Sequence, residues 1–268
     1  MPKKPPPHVS ERQAKIQAVS KQSSGGANKI VVAAVVVVVA IIAVVGGVIW
    51  QQSRVKASTS SAAPPTTPGS TSTIKMGEGF TVVFPGVQLV DGAPTLDIFE
   101  DFQCPACGQF EGAFKPTIEE LAKAGKVKLV YHIKNFLDDN LRNDSSTRAG
   151  VGAFCAAEAG KFLEYHDQLY AHQPAQEGQG WTDAELTSFA EQAGLSGTEL
   201  TTWKSCFAEQ KYASYIVSVE KASFADGVKG TPTIRINGKQ IELSQLVSDD
   251  GKAFDPAKLI ALVQQATT

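Results

Sequence analysis

Two cysteines separated by two residues, Cys104-Pro105-Ala106-Cys107, carry the most specific chemistry in this sequence. An apolar run with acidic interruptions, Leu96-Asp97-Ile98-Phe99-Glu100-Asp101-Phe102, precedes them, and a helix-like stretch follows at 108–124. A strand feeding a helix whose first turn holds C-x-x-C is the layout of a thiol–disulfide redox centre. Helix N-terminal amides and the macrodipole favour negative charge, so the first sulfur ionises more readily than a free thiol. The thiolate is the nucleophile, and the second thiol, one helical turn on, is placed to resolve a mixed disulfide. Pro105 suits the first helical position, where an amide hydrogen would go unbonded. Cys104 is therefore expected to be the exposed nucleophile and Cys107 its buried partner.

The elements that must position this pair read as follows. Residues 80–84 and 87–90 flank Pro85-Gly86 and predict a short hairpin or two edge strands. Residues 95–102 predict a central strand, and 109–124 a helix with a kink or restart at Pro116, ended by Gly125. The next strand is expected at 128–133, which makes a parallel, right-handed crossover. Five helices are then predicted at 145–159, 162–172, 183–193, 199–210 and 211–225, with starts at Thr182-Asp183-Ala184-Glu185 and Ser196-Gly197-Thr198-Glu199. Asn237-Gly238 between 233–236 and 239–243 is a strong hairpin signal. A last helix follows at 256–265, capped by Asp255.

Upstream, the composition changes abruptly. Residues 1–29 form a basic, Pro-rich tail. Residues 30–50 are uncharged and almost entirely Val, Ala, Ile and Gly, about the length that spans a bilayer as a helix. Residues 51–73, rich in Ser, Thr, Ala and Pro, read as a flexible linker to a globular part at 74–268. A cleaved signal peptide is the alternative, but its apolar region would be shorter and a small-residue cleavage site would follow at once. Six basic residues precede the span and Arg54 and Lys56 follow it. The positive-inside rule then predicts a single-pass membrane protein with a cytoplasmic N-terminus and an extracytoplasmic globular domain.

Eight of the 25 basic residues but only Glu11 of the 27 acids lie before Ile74, leaving 17 basic against 26 acidic residues, or −9, for the globular part. Such a domain is a poor partner for nucleic acid. The four cysteines all lie in this exported part. Cys155 and Cys206 are expected to form a structural disulfide in an oxidising compartment, with independent buried thiols as the alternative. They also lack the paired short spacing that would complete a zinc site with Cys104 and Cys107. His132, His166 and His172 are scattered and read as solvated or hydrogen-bonded, and Phe162, Tyr165, Leu169 and Tyr170 as core. Neither a metal nor a nucleotide or flavin cofactor is called for.

A βαβ unit with C-x-x-C, then ββα, resembles the thioredoxin fold, and a helical insertion at about 145–226 resembles the DsbA-like branch. Glu100-Asp101-Phe102-Gln103-Cys104-Pro105-Ala106-Cys107 with Gly230-Thr231-Pro232-Thr233 is similar to the membrane-anchored DsbA-like proteins of actinobacteria. The resemblance covers about 79–266. It implies an α/β thioredoxin fold (βαβ…ββα) with an inserted helical domain, preceded by one transmembrane helix. It implies a cis-proline at Pro232 facing the cysteines, with the Thr231 backbone pairing with a bound peptide. It further implies an extracytoplasmic thiol–disulfide oxidoreductase that passes disulfides to thiol-bearing exported proteins and is reoxidised by a VKOR-like or DsbB-like membrane enzyme. A reductase or isomerase of the same fold, and a non-catalytic binding module, are the alternative readings. Two positions depart from the pattern. Ile98 stands where many thioredoxin-fold proteins carry a buried acid, and Ala106 where the strongly oxidising member has a histidine.

Overall fold

Leu96, Ile98 and Glu100 are fully buried along one strand face, while Thr95 and Asp97 on the other are half-buried. This alternation belongs to β2 (Thr95–Glu100), the middle strand of a five-stranded sheet. The computed structural model describes residues 64–66 and 74–267. The tail at 1–29, the apolar span at 30–50 and most of the linker at 51–73 lie outside the described residues. Among the described residues no helix is long and apolar enough to cross a membrane.

The sheet also contains β1 (Phe80–Thr81), β3 (Lys128–Ile133), β4 (Thr233–Ile236) and β5 (Lys239–Ile241), in the order β1-β3-β2-β4-β5. Strands β2 and β3 are parallel, with Ile98 opposite Tyr131; the other neighbours are antiparallel, with Ile98 opposite Ile234 across β2 and β4. The hairpin expected at 80–90 does not form. Gly86, at φ +77°, turns the chain at Pro85, and β1 pairs with β3 instead. The second arm finds a partner elsewhere: Val90 donates its amide to the Gly125 carbonyl.

Between β2 and β3 runs α1 (Pro105–Lys123). Cys107, Phe110, Phe114, Ile118 and Leu121 recur at helical spacing and form its buried face. Pro116 was expected to be a kink or restart point, and the helix runs through it without a restart. Pro116 removes one amide donor, but Phe114 and Ile118 on either side are completely buried and hold the helix against the sheet. Gly125, at φ +69°, ends it, and the Lys126 amide reaches back to the Leu121 carbonyl.

The insertion contains α2 (Phe136–Leu141), α3 (Ser145–Ala157), α4 (Phe162–Ala171), α5 (Asp183–Gln192), α6 (Gly197–Ala208) and α7 (Ala213–Ala225). The last five match the sequence expectation to within a turn; α2, six residues long, was not foreseen. Helix α3 is buried nearly all round, which its small residues permit. A Cβ on Gly152 would sit 2.4 Å from the Tyr165 hydroxyl, and its carbonyl accepts from Trp203 Nε1 at 2.8 Å. Thr182 and Glu185 form a reciprocal capping box at the start of α5. Ser196 stands at the cap position of α6 without a side-chain cap bond. After the Asn237-Gly238 turn, β5 gives way to a 3-10 turn at Leu243–Leu246. Helix α8 (Pro256–Ala266), capped by Asp255 through the Ala257 amide at 2.9 Å, then packs against α1.

Candidate active site

The C-x-x-C pair sits where β2 passes into α1. Cys104 is the N-cap of α1 with extended backbone, Pro105 takes the first helical position, and the Cys107 amide donates to the Cys104 carbonyl at 3.1 Å. Pro105 and Ala106 thus close one turn that stacks the second sulfur behind the first. The Thr231-Pro232 peptide is cis. It approaches from the loop before β4, and Cys104 Sγ lies 3.4 Å from the Thr231 carbonyl oxygen, to which the thiol donates. The two loops therefore meet at the redox turn although 127 positions separate Cys104 from Thr231.

Cys104 was expected to face solvent, but only 7% of its surface is exposed; Cys107 is 1% exposed. Leu137 joins them in a small apolar cluster, with Phe136, Leu141 and Tyr170 packed against it. The correction comes from α2, whose short helix lays Phe136 and Leu137 beside the cysteines. Both thiols are free. They nevertheless differ in acidity. The Cys107 thiol beside it lowers Cys104 from the ordinary 9.0 to about 6; burial opposes this, and a bond from Thr231 and the amides of Cys107 and Ala106 assist it. Burial pushes Cys107 well above 9.0, and its neighbour Cys104 adds to the rise. The pair therefore combines a thiol of lowered pKa, itself largely covered, with a more deeply buried thiol of raised pKa that donates to it.

A polar network holds the turn. Asp101 accepts from the Ser146 hydroxyl at 2.5 Å and from the amides of Gln103 at 3.0 Å and Leu137 at 3.2 Å. Burial raises its carboxyl to about 7 despite those bonds. The Gln103 amide nitrogen donates to Asp138, Asn143 and Ser146. From the other side, Gln173 Nε2 donates to the carbonyls of Phe102 at 2.8 Å and Cys104 at 3.0 Å. Asp101 and Gln103 stand in the motif, but this network escaped the sequence reading because its partners lie some 35–70 positions away and no periodicity joins them.

Ile98 is fully buried, and the acid on its strand face is Glu100, two residues on. Glu100 pairs with His166 at 2.6 Å. Burial would lower the His166 imidazole, but Glu100 and Asp167 outweigh it and raise it to about 10. Burial raises the Glu111 carboxyl to about 8. The sequence did contain a signal for Glu111: it continues the Cys107, Phe114 and Ile118 face of α1. His166 proves buried and hydrogen-bonded, whereas His172 is exposed.

Cys155 and Cys206 join α3 to α6 by a disulfide, with Cα atoms 5.9 Å apart. They lie among Phe154, Trp203 and Phe207 in the main core, bonded to each other and so withdrawn from any site shared with Cys104 and Cys107.

The sequence model of the family described as Thioredoxin matches residues 91–255. Among solved structures, the chain is similar to reduced DsbA of Mycobacterium tuberculosis (28% identity, TM-score 0.56, covering 71% of this chain and 92% of that one). It is likewise similar to the reduced disulfide bond oxidoreductase DsbG of the same organism (30% identity, TM-score 0.56, 71% and 88%). The Na(+)/H(+) antiporter NhaA 3 of Salinispora tropica is 32% identical over 146 residues, which are 54% of this chain and 20% of the antiporter. The chain thus spans about a fifth of the length of the curated relatives it matches. With the family match extending over more than half of its residues, and with the redox turn and cis-proline loop meeting as they do, this chain belongs to the thioredoxin family and is a DsbA-like member of that superfamily.

Proposed function

We propose that the protein is an extracytoplasmic thiol–disulfide oxidoreductase that introduces disulfides into exported proteins. The observation that carries this reading is the placement of Cys104 at the cap of α1, its sulfur 3.4 Å from the Thr231 carbonyl, with Cys107 one helical turn behind; this geometry lowers the Cys104 thiol to about 6 and leaves Cys107 well above 9.0. In the oxidised form a substrate thiolate attacks Cys104 Sγ. The 104–107 bond breaks, a mixed disulfide forms, and Cys107 leaves and takes up a proton. A second substrate thiolate then attacks the substrate sulfur of the mixed disulfide. Cys104 leaves as a thiolate, and the substrate keeps the new disulfide. Two electrons have passed to the Cys104–Cys107 pair. A low-pKa thiolate is both the better leaving group and the more stable reduced product, which favours this direction. In the reverse direction Cys107, one turn behind, resolves the mixed disulfide and limits its lifetime.

Thr231 and Pro232 form the wall against which a substrate backbone lies, with the apolar side chains of Phe136, Leu137 and Tyr170 around it. In the proposed topology, residues 30–50 anchor the domain in the cell membrane and residues 51–73 tether it. That arrangement raises its effective concentration near exported chains and near a VKOR-like or DsbB-like reoxidase. The test is a redox equilibrium against glutathione, paired with refolding of reduced RNase. An oxidising potential with recovered RNase activity supports the proposal. A potential near that of a cytosolic reductant, with insulin reduction in place of RNase refolding, assigns the opposite direction; activity in neither assay leaves a binding module.

A further inference from the structure

On the sheet face that carries Leu96 and Ile98, three side chains from three elements converge: Glu100 at the end of β2, Glu111 on α1 and His166 on α4. One ligand-capable atom from each lies within 4.8 Å of the other two, and each residue is at least 98% buried. The local pairings do not account for all of them. His166 Nε2 lies 2.6 Å from Glu100 Oε1, and His166 Nδ1 faces Asp167 Oδ1 at 3.7 Å. Asp167 is held in turn by Lys115 at 2.6 Å. At 3.7 Å neither His166 Nδ1 nor Asp167 Oδ1 gains a hydrogen bond, and Glu111 takes no part in these pairings. Neither of its oxygens has a hydrogen-bond partner, nor has Glu100 Oε2, and all three atoms are buried. An unpaired buried carboxylate costs several kcal/mol, in order of magnitude, and even a protonated one with no partner loses hydrogen bonds it had in water.

We propose that Glu100, Glu111 and His166 form a binding site for one divalent first-row transition cation, which ties the inserted helical domain to the redox half. A cation among these atoms gives the oxygens of Glu111 and the free oxygen of Glu100 a partner, and its charge balances the two carboxylates. His166 then binds as the neutral imidazole, and the proton on Nδ1 points to Asp167. A carboxylate on the far nitrogen is the usual outer-shell partner of a metal-bound histidine; Asp167, held by Lys115, stands 3.7 Å from Nδ1 and would have to close in to accept its proton. Two carboxylates and an imidazole, without thiolate, suit Zn²⁺, Mn²⁺ or Fe²⁺ better than Cu⁺, and the imidazole disfavours Mg²⁺ or Ca²⁺. The three ligands come from the central strand, the redox helix and the insertion. The cation would therefore bind as these parts close on one another, and its free energy would appear as folding stability.

The experiment uses the full chain in detergent in its oxidised form, so that Cys104 and Cys107 are bonded to each other and are not ligands. The protein is unfolded in guanidinium with chelator and refolded with Zn²⁺, with Co²⁺, or with chelator alone. The expected result is one retained Zn²⁺ per chain and a higher melting temperature than the chelator-refolded protein. Co²⁺ should give visible d–d absorption without a sulfur charge-transfer band. Glu111→Gln, close to isosteric, should lose the metal and the increment in melting temperature while melting no lower than chelator-refolded wild type. Because wild type alone reports metal content, the proposal remains open to refutation even if the variant fails to fold. Refolded wild type that retains no Zn²⁺, or a folded Glu111→Gln that retains it equally, would overturn the proposal. So would an infrared band of a protonated carboxyl in Zn²⁺-refolded wild type that Glu111→Gln removes, since the cluster would then hold a proton in place of the cation.

Discussion

The molecule contains two cysteine pairs of opposite character. Cys104 and Cys107 occupy the cap and first turn of α1, beside a loop that carries a carbonyl, a hydroxyl and a proline. Cys155 lies deep within α3 and Cys206 near the end of α6, surrounded by Phe154, Trp203 and Phe207. Burial is similar in the two pairs, at 7% and 1% exposure against 3% and 5%. Burial therefore does not separate the free pair from the bonded one. The difference is the supply of hydrogen-bond donors. A sulfur at a helix start has free amides aimed at it, whereas one inside a helix has amides already spent on carbonyls. Cys104 also has the Cys107 thiol as a donor, because C-x-x-C spacing places it one turn away.

Substitutions at the two pairs should separate these roles most sharply. Cys104→Ser is expected to abolish RNase refolding, because no other thiolate is available to form the mixed disulfide. Cys107→Ser should keep Cys104 reactive and accumulate mixed disulfides visible on non-reducing gels. If Cys107→Ser lost the mixed disulfides and Cys104→Ser kept them, the order of roles would be reversed.

Replacing Cys155 and Cys206 together with Ala should have the complementary effect. Opening a loop of 51 residues removes about 4 kcal/mol in the chain-entropy model. For a domain of this size that is a fall in melting temperature of roughly 10 °C. Refolding activity per folded molecule should be retained at temperatures below the new transition. A folded double variant without activity would mean that this bond shapes the redox turn and is more than a staple.

The acidity difference can be sharpened by pH. Alkylation of the reduced protein should label Cys104 first, with a rate that rises through a midpoint of about 6 and then levels off, and Cys107 should remain unlabelled across that range. The same shift acts on stability. Cys104 has a lower pKa folded than unfolded, so its contribution is complete above about 9, falls as the pH drops, and vanishes below about 6. The oxidised protein has no such thiol. The melting temperature of the reduced form, relative to the oxidised form, should therefore rise between pH 6 and 9. A constant difference across that interval would contradict the assigned acidity.

The smallest effect is expected at Thr231. Its hydroxyl has no hydrogen-bond partner among the described residues while Cys104 is a thiol, and is left to donate to the sulfur once Cys104 ionises. Thr231→Val keeps the shape and removes the donor. At pH 6 this should lower the alkylation rate of Cys104 roughly two- to tenfold, as expected for one ordinary hydrogen bond of about 0.5–1.5 kcal/mol, with little change in melting temperature. An unchanged midpoint would assign the acidity of Cys104 to Cys107 and the helix amides.

Local pattern made β2, α1, β3 and the β4–β5 hairpin legible, and C-x-x-C marked the candidate site within the sequence. Helices α3–α7 were legible for the same reason: ten or more residues give the helical period time to repeat. Helix α2 has six residues, two of which are adjacent aspartates, and showed no such period. It was α2 that changed the site, by covering Cys104.

The sequence by itself determined where the C-x-x-C pair stands and the helix that carries both cysteines, because each depends on residues no more than a few positions apart. Only the tertiary structure decided how buried the nucleophile is, which acid stands behind the redox helix, and which distant residues hold the turn. Glu100, Glu111 and His166, or Asp101, Gln103 and Ser146, come together through packing between the sheet and the insertion, and such contacts leave no repeat along the chain. Hydrogen bonds and ion pairs across 40 to 70 residues depend on how the elements dock, and docking is a property of whole faces rather than of any local stretch.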